Sequence, residues 1–145
     1  MKLLVQRVKN AEVKVDGEVV GKINQGLLAF LGVCDSDTEE TADYIVKKLV
    51  NLRIFCDEND KMNLSVKNIG GEILIISQFT LYADCTSGNR PSFVNAGKSE
   101  YAEKMYKYVI NKCKESVEKV EEGIFGADMK VSLLNDGPVT IMIEK

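Results

Sequence analysis

The chain has 145 residues, 45% of them hydrophobic, which is enough for one domain with its own core. Nineteen Lys and Arg stand against 22 Asp and Glu, a net charge of −3, so no global positive field draws the chain to a nucleic-acid duplex or an anionic membrane. It has no histidine, which excludes Ser-His-Asp and Cys-His catalysis within the chain and every zinc site that depends on imidazole.

The start, Met1-Lys2-Leu3-Leu4-Val5-Gln6-Arg7, turns polar too soon for a signal peptide, and no apolar run approaches the ~18 residues that span a bilayer. A cytoplasmic protein is therefore expected, with no membrane partner. Cys34, Cys56, Cys85 and Cys113 form no C-x-x-C pair, so reduced thiols and no metal site are expected.

In chain order, Leu3 to Val8 reads as a strand. Glu12 to Val15 and Glu18 to Ile23 alternate about Asp16-Gly17, a dipeptide that favours a tight hairpin turn. Leu27 to Val33 is apolar throughout and reads as a central strand. Ser36 with Glu39 forms a candidate capping box, and Ala42, Ile45, Val46 and Leu49 then recur at helical spacing.

Arg53 to Cys56 and Met62 to Val66 read as strands flanking Asp57-Glu58-Asn59-Asp60, whose spacing lacks the calcium-loop pattern and suits a solvated hairpin tip. Glu72 to Ile76 is a second apolar run, expected to be buried on both faces. Ala83 to Ala96 reads as a loop. A second helix is expected from Ser99 to about Val120, ended by Gly123, with Tyr101, Met105, Tyr108, Val109, Cys113 and Val117 on one face. Asp128 to Leu134 and Val139 to Ile143 close the chain as two strands joined through Asn135-Asp136-Gly137-Pro138. The order implies a single compact α+β domain over residues 1–145, with a curled, barrel-like, mostly antiparallel sheet and two main helices.

Ser77-Gln78-Phe79-Thr80-Leu81 is the stretch with chemical content. It ends a buried strand in hydroxyl, amide and backbone N–H groups, and a packed strand fixes geometry that a loop cannot. The same residues would equally serve to close the strand. Near the other end, Gly137-Pro138 joins a residue without a Cβ to one without an N–H, so the pair can present bare carbonyl oxygens at close range or simply form a hairpin turn.

Taken together, Ser77-Gln78-Phe79-Thr80-Leu81 and Asn135-Asp136-Gly137-Pro138-Val139-Thr140 resemble the two signature motifs of the D-aminoacyl-tRNA deacylases. Gln6-Arg7-Val8, Met62-Asn63-Leu64, Arg90-Pro91-Ser92-Phe93 and Ala127-Asp128-Met129 extend the resemblance along nearly the whole chain. Tyr82 departs from it, standing where many members carry a smaller residue at what would be the pocket rim.

The resemblance implies a cofactor-free homodimeric hydrolase that cleaves the ester between a D-amino acid, or glycine, and the 3′-terminal adenosine of tRNA. For such a reaction the backbone N–H groups of Phe79 and Thr80 are the candidate oxyanion donors and Ser77 and Gln78 would orient the substrate; Thr80 is either the nucleophile or, for want of a base, secondary to direct attack by water assisted by the ribose 2′-hydroxyl. The resemblance assigns rejection of L-amino acids to a cis Gly137-Pro138 pair inserted into the partner's pocket, with Arg7 bracing that loop and Phe125 and Met129 lining the adenosine site. The competing expectation is a non-catalytic dimer that binds nucleotides or D-amino acids.

Overall fold

A computed structural model describes residues 1–145. The elements are, in order, β1 (Lys2–Val15), β2 (Glu18–Ile23), β3 (Gly26–Gly32), α1 (Glu39–Asn51), β4 (Phe55–Cys56), β5 (Met62–Leu64), β6 (Glu72–Ser77), a 3-10 turn (Phe79–Tyr82), α2 (Ser99–Lys114), β7 (Val120–Glu122) and β8 (Lys130–Glu144). No helix is long and apolar enough to cross a membrane.

β1 is the longest inner strand and pairs antiparallel with β2, β3 and β8. β3 continues the sheet through β6 to β7 in order β2-β1-β3-β6-β7, and both of these last pairings are parallel. The sheet is therefore mixed. The antiparallel expectation holds for the neighbours of β1 and fails at β6 and β7, because each is reached through a helical crossover rather than a tight turn.

β2 curls back towards β7, so closely that a Cβ on Gly21 would lie 2.7 Å from the Glu122 carbonyl oxygen. That approach nearly closes the sheet into a barrel. Asp16 and Gly17, at φ 50° and 86°, make the expected β1–β2 turn.

The two apolar runs are continuous because each serves two cores. Leu27, Ala29 and Leu31 of β3, with Ile73 and Ile75 of β6, face a large core shared with both helices. Leu28, Leu74 and Ile76 face the barrel interior together with Val8, Ala11, Val13 and Ile23. Each fully buried Leu or Ile contributes about 1.5–3 kcal/mol, so the two strands are held rigidly from both sides.

α1 buries Ala42, Ile45, Val46, Leu49 and Val50. Its cap is Thr38, whose hydroxyl accepts from the Thr41 N–H, rather than the expected Ser36. Ser36 lies outside the helix with its hydroxyl 3.2 Å from Cys34 Sγ. α2 ends at Lys114, earlier than its periodicity predicts. Val117 stays buried in the turn that follows, and Val120 begins a short strand beside β6. Burial at Cys113, Val117 and Val120 keeps the helical rhythm in a stretch that is no longer helix. All four cysteines are free, and burial pushes the Cys113 thiol up to about 12.

The expected pair of closing strands is one element. Along its ladder with β1, Gln6 faces Thr140 while Val8 faces Asn135, so a short step of β1 opposes a longer step of β8. Asp136, Gly137 and Pro138 are the residues forced out of register as a bulge.

Candidate functional site

The pocket is built where β6 ends. Gln78 donates its N–H to the Leu31 carbonyl (2.8 Å), which holds it to β3, and the chain then turns into the 3-10 segment Phe79–Tyr82. Gly32 makes this turn possible, since a Cβ there would meet Leu81 Cβ at 3.1 Å and the Gln78 carbonyl at 3.2 Å. The first bond of the turn runs from Leu81 N–H to Gln78 O (3.2 Å), so the N–H groups of Phe79 and Thr80 precede it without an i−3 partner within the turn.

Ser77, Gln78 and Phe79 form one wall of a cavity of about 580 Å³. Phe125, Gly126, Ala127, Asp128 and Met129 form the facing wall, and Phe93, Ala96, Gly97, Ser99 and Ala102 form a third. Leu31, Val33 and Ile76 bring the ends of β3 and β6 to it. Phe79 and Phe93 meet edge to face at 5.0 Å, and Phe79 remains 55% exposed. Phe125 leans on Tyr106 at 5.9 Å. The Tyr106 hydroxyl donates to Ile75 O (2.7 Å) and accepts from Gly123 N–H (3.2 Å), which ties the facing wall to β6. Gly123 does not end a helix here. Its missing side chain leaves room for Met129, whose sulfur would lie 2.5 Å from a Cβ at that position.

Five of the residues singled out in the sequence therefore converge: Ser77, Gln78, Phe79, Phe125 and Met129. Thr80 is exposed and outside the wall, where its hydroxyl accepts from the Gln78 side-chain amide (2.5 Å) and touches no carboxylate. Tyr82 does not line the cavity either. Its ring lies under Lys2 Nζ at 5.0 Å, and burial together with its hydrogen bond to Cys34 raises its pKa well above the ordinary phenol range. At Cys34 burial disfavours the thiolate, but hydrogen bonds involving Ser36 and Tyr82 outweigh it and leave the thiol below its usual value.

Phe93, Gly97, Ser99 and Asp128 were not assigned to the site from the sequence. The segments Arg90-Pro91-Ser92-Phe93 and Ala127-Asp128-Met129 carry the signal for two of them. Asp128 is the one carboxylate in the wall, and Lys130 Nζ lies 2.9 Å from it.

Arg7, Gly137 and Pro138 do not line this cavity. They form a separate structure on β8. The Gly137-Pro138 peptide is cis, and Gly137 has φ 130°, a conformation that favours glycine. A Cβ on Gly137 would fall 2.8 Å from Val139 Cγ2 and 2.9 Å from Arg7 Nη2. Arg7 is 8% exposed and donates from Nε to Asp136 O (3.0 Å) and from Nη1 to Ile54 O (2.5 Å). Lys9 Nζ reaches the Asp136 carboxylate at 3.2 Å, and the Asn135 amide donates to Arg7 O and Val139 O across the base of the bulge. The bulge is anchored at its base, and Gly137 and Pro138 at its tip are exposed.

No group of three His, Cys, Asp or Glu side chains converges in a way that could hold a metal.

A family profile described as D-Tyr-tRNA(Tyr) deacylase matches residues 4–144. A protein of Thermosipho africanus (strain TCF52B) named D-aminoacyl-tRNA deacylase is 54% identical over 144 residues, covering 99% of this chain and 97% of its own. A solved structure titled "c-Myc DNA Unwinding Element Binding Protein" superposes with a TM-score of 0.94 at 41% identity, covering 100% of this chain and 99% of that one. Another, titled "Structural Analysis of a probable eukaryotic D-amino acid tRNA deacylase", is 16% identical with a TM-score of 0.87, covers 98% and 97% of the two chains, and shares the fold.

Proposed function

The chain belongs to the D-Tyr-tRNA(Tyr) deacylase family and is a hydrolase that acts on D-aminoacyl-tRNA; from that premise we propose how its pocket and bulge divide the work. The large pocket takes the 3′-terminal adenosine with its esterified amino acid. Phe125 and Met129 offer an aromatic face and a thioether to the purine. The ester carbonyl lies at the end of β6, where the N–H groups of Phe79 and Thr80 stabilise the tetrahedral oxyanion. Ser77 and Gln78 orient the substrate beside them.

Water is the nucleophile in this reading. A threonine hydroxyl needs an activating base, and Thr80 touches only the Gln78 amide. The vicinal 2′-hydroxyl of the terminal ribose moves the proton. Water adds to the carbonyl carbon, the ester C–O bond breaks, and the 3′ oxygen leaves with a proton, giving free amino acid and tRNA.

The Gly137-Pro138 bulge is the chiral filter, and it acts across a homodimer. It stands outside the pocket of its own chain, anchored at its base and exposed at Gly137 and Pro138. β8 is hydrogen-bonded to β1 alone, and Leu134 and Met142 on it are 57% and 45% exposed, an apolar edge suited to a second copy. A rigid main-chain wall at the mouth of the partner's pocket clashes with any L-side chain and ignores the identity of a D-side chain. Glycine has no side chain to reject, so glycyl-tRNA passes as a substrate.

The observation that carries this reading is the convergence of Ser77, Gln78 and Phe79 with Phe125 and Met129 on one cavity. Purified protein incubated with D-Tyr-tRNA, L-Tyr-tRNA and Gly-tRNA tests it directly. Release of D-tyrosine and glycine with L-tyrosine retained is the expected outcome. Equal release of both tyrosines would remove the filter from the account, and release of none would favour a binding module instead.

A further inference from the structure

A second cavity, of about 360 Å³, is walled by Lys98, Glu100, Tyr101 and Lys104 at the start of α2. The same stretch of chain serves both cavities, because Gly97, Ser99 and Ala102 line the large pocket while their neighbours line the small one. The stretch is well fixed. Lys98 N–H donates to Asp35 Oδ1 at 2.8 Å, and the Tyr101 hydroxyl donates to the Asp37 carbonyl.

Nine of the 19 Lys and Arg side chains are ion-paired, among them Lys9 with Asp136, Lys107 with Glu103, Lys112 with Glu115 and Lys119 with Glu72. Lys98 and Lys104 have no carboxylate within 4.0 Å. Unpaired surface lysines are ordinary in themselves. These two differ in position, since they flank a concave site on the same segment that gives Gly97, Ser99 and Ala102 to the large pocket.

An adenosine seated in that pocket is still attached through its 5′ oxygen to the preceding nucleotide. Its phosphodiester must leave over the pocket rim, and each linkage carries one negative charge. We propose that Lys98 and Lys104 hold the phosphodiester backbone of the single-stranded tRNA end just upstream of the terminal adenosine. Lys98 caps α2 and Lys104 lies on its second turn, a rise of about 9 Å, and the long lysine stems reach inward from that separation to neighbouring phosphates. Such a subsite reconciles a net charge of −3 with an RNA substrate, because the positive potential is confined to the path of one strand. This inference rests on the large pocket being the adenosine site.

The test compares D-Tyr-tRNA with 3′-(D-tyrosyl)adenosine, a substrate that has the ester and the nucleoside but no phosphodiester. The double variant Lys98→Gln/Lys104→Gln should lose roughly tenfold in kcat/KM on D-Tyr-tRNA at low salt, mainly through KM. Its rate on the nucleoside ester should stay within about twofold of the parent's. The slope of log kcat/KM against log salt should become shallower by about 0.7 for each phosphate contact removed. Lys98→Arg/Lys104→Arg should keep the tRNA rate, and Glu100→Gln should raise it, responses that a purely structural role would not produce. Equal losses on both substrates, or no loss on either, would overturn the proposal. Parent protein that cleaves the nucleoside ester but shows no salt dependence on tRNA would overturn it while leaving the adenosine pocket standing. Parent protein inert towards both would overturn the activity and this inference with it.

Discussion

The end of β6 and the bulge of β8 both depart from regular structure, and they are built in opposite ways. Ser77 and Gln78 stand at the end of a strand buried on both faces, so their geometry comes from packing. Gly137 and Pro138 stand on a protrusion whose geometry comes from hydrogen bonds and ion pairs at its base: Arg7 to Asp136 and Ile54, Lys9 to Asp136, and Asn135 to Arg7 and Val139. The first arrangement suits chemistry, which requires fixed donors. The second suits exclusion, which requires only a stiff obstacle in the right place. The contrast predicts that perturbing the first changes rate and perturbing the second changes selectivity.

The largest effect should come from the substrate side of the first region. A D-aminoacyl-tRNA ending in 2′-deoxyadenosine should be cleaved more slowly by a factor on the order of 10²–10⁴, the usual contribution of a positioned proton-transfer group. Single-turnover rates with the two tRNAs measure it, and an unchanged rate would exclude the 2′-hydroxyl. Thr80→Ala sharpens the point. If water attacks, the variant should stay within about tenfold of the parent, whereas loss of a true nucleophile would remove nearly all of the rate.

In the second region the expected change is smaller and of a different kind. Pro138→Ala should raise cleavage of L-Tyr-tRNA by roughly 10–100-fold, the range open to steric discrimination by a pocket wall. D-Tyr-tRNA cleavage should change little. Arg7→Gln acts lower in the same structure by withdrawing donors from the Asp136 and Ile54 carbonyls in a buried site, at about 1–3 kcal/mol of stability. It should loosen selectivity as well as lower Tm. A Pro138→Ala protein with full discrimination would mean that the bulge does not act as the filter.

Much of this contrast was legible in the residues, for physical reasons that also explain the misses. Leu27 to Val33 and Glu72 to Ile76 declared themselves because a strand buried on both faces has no polar positions. Asp16-Gly17 declared a turn because few other residues accept its dihedral angles. Ser77 and Gln78, which line the pocket, stand out in the sequence as polar residues placed abruptly after an apolar strand. The pocket's third wall is not visible in the sequence, since Phe93 and Gly97 come from an irregular stretch without periodicity and Ser99 from the first position of α2. β7 was hidden because Val117 and Val120 continue the helical rhythm of Cys113, with no Gly or Pro between Lys114 and Val120 to mark the break. The cap of α1 lies two residues beyond the one its sequence suggests because Ser36 and Thr38 offer equivalent hydroxyls, and only the fold shows that Ser36 is engaged with Cys34. The bulge resembles a turn between two strands because Asn135-Asp136-Gly137-Pro138 has turn chemistry, while its register against β1 is a tertiary fact.

The smallest effect lies at the other end of β6 and serves to separate stability from both functions. Glu72 accepts from Asn24 N–H (2.7 Å) and Lys119 Nζ (2.9 Å), joining the ends of β2 and β6 to the approach to β7. Burial would raise the pKa of its carboxyl, but the Asn24 N–H and Lys119 outweigh it and hold the carboxyl below its ordinary 4.5. A depressed carboxyl pKa stabilises the fold above the unfolded value and loses that contribution as pH falls through the folded one. Glu72→Gln should therefore lower Tm at pH 7 by about 2–4 °C, corresponding to no more than about 1 kcal/mol for a partly solvated pair. The gap between variant and parent should close as the pH is taken below about 4. Deacylation rate and D/L selectivity at pH 7 and 25 °C should match the parent, because this end of β6 lies away from the Ser77 end that carries the pocket. A selectivity change in Glu72→Gln would show that the barrel seam, and not local anchoring alone, sets the position of the bulge.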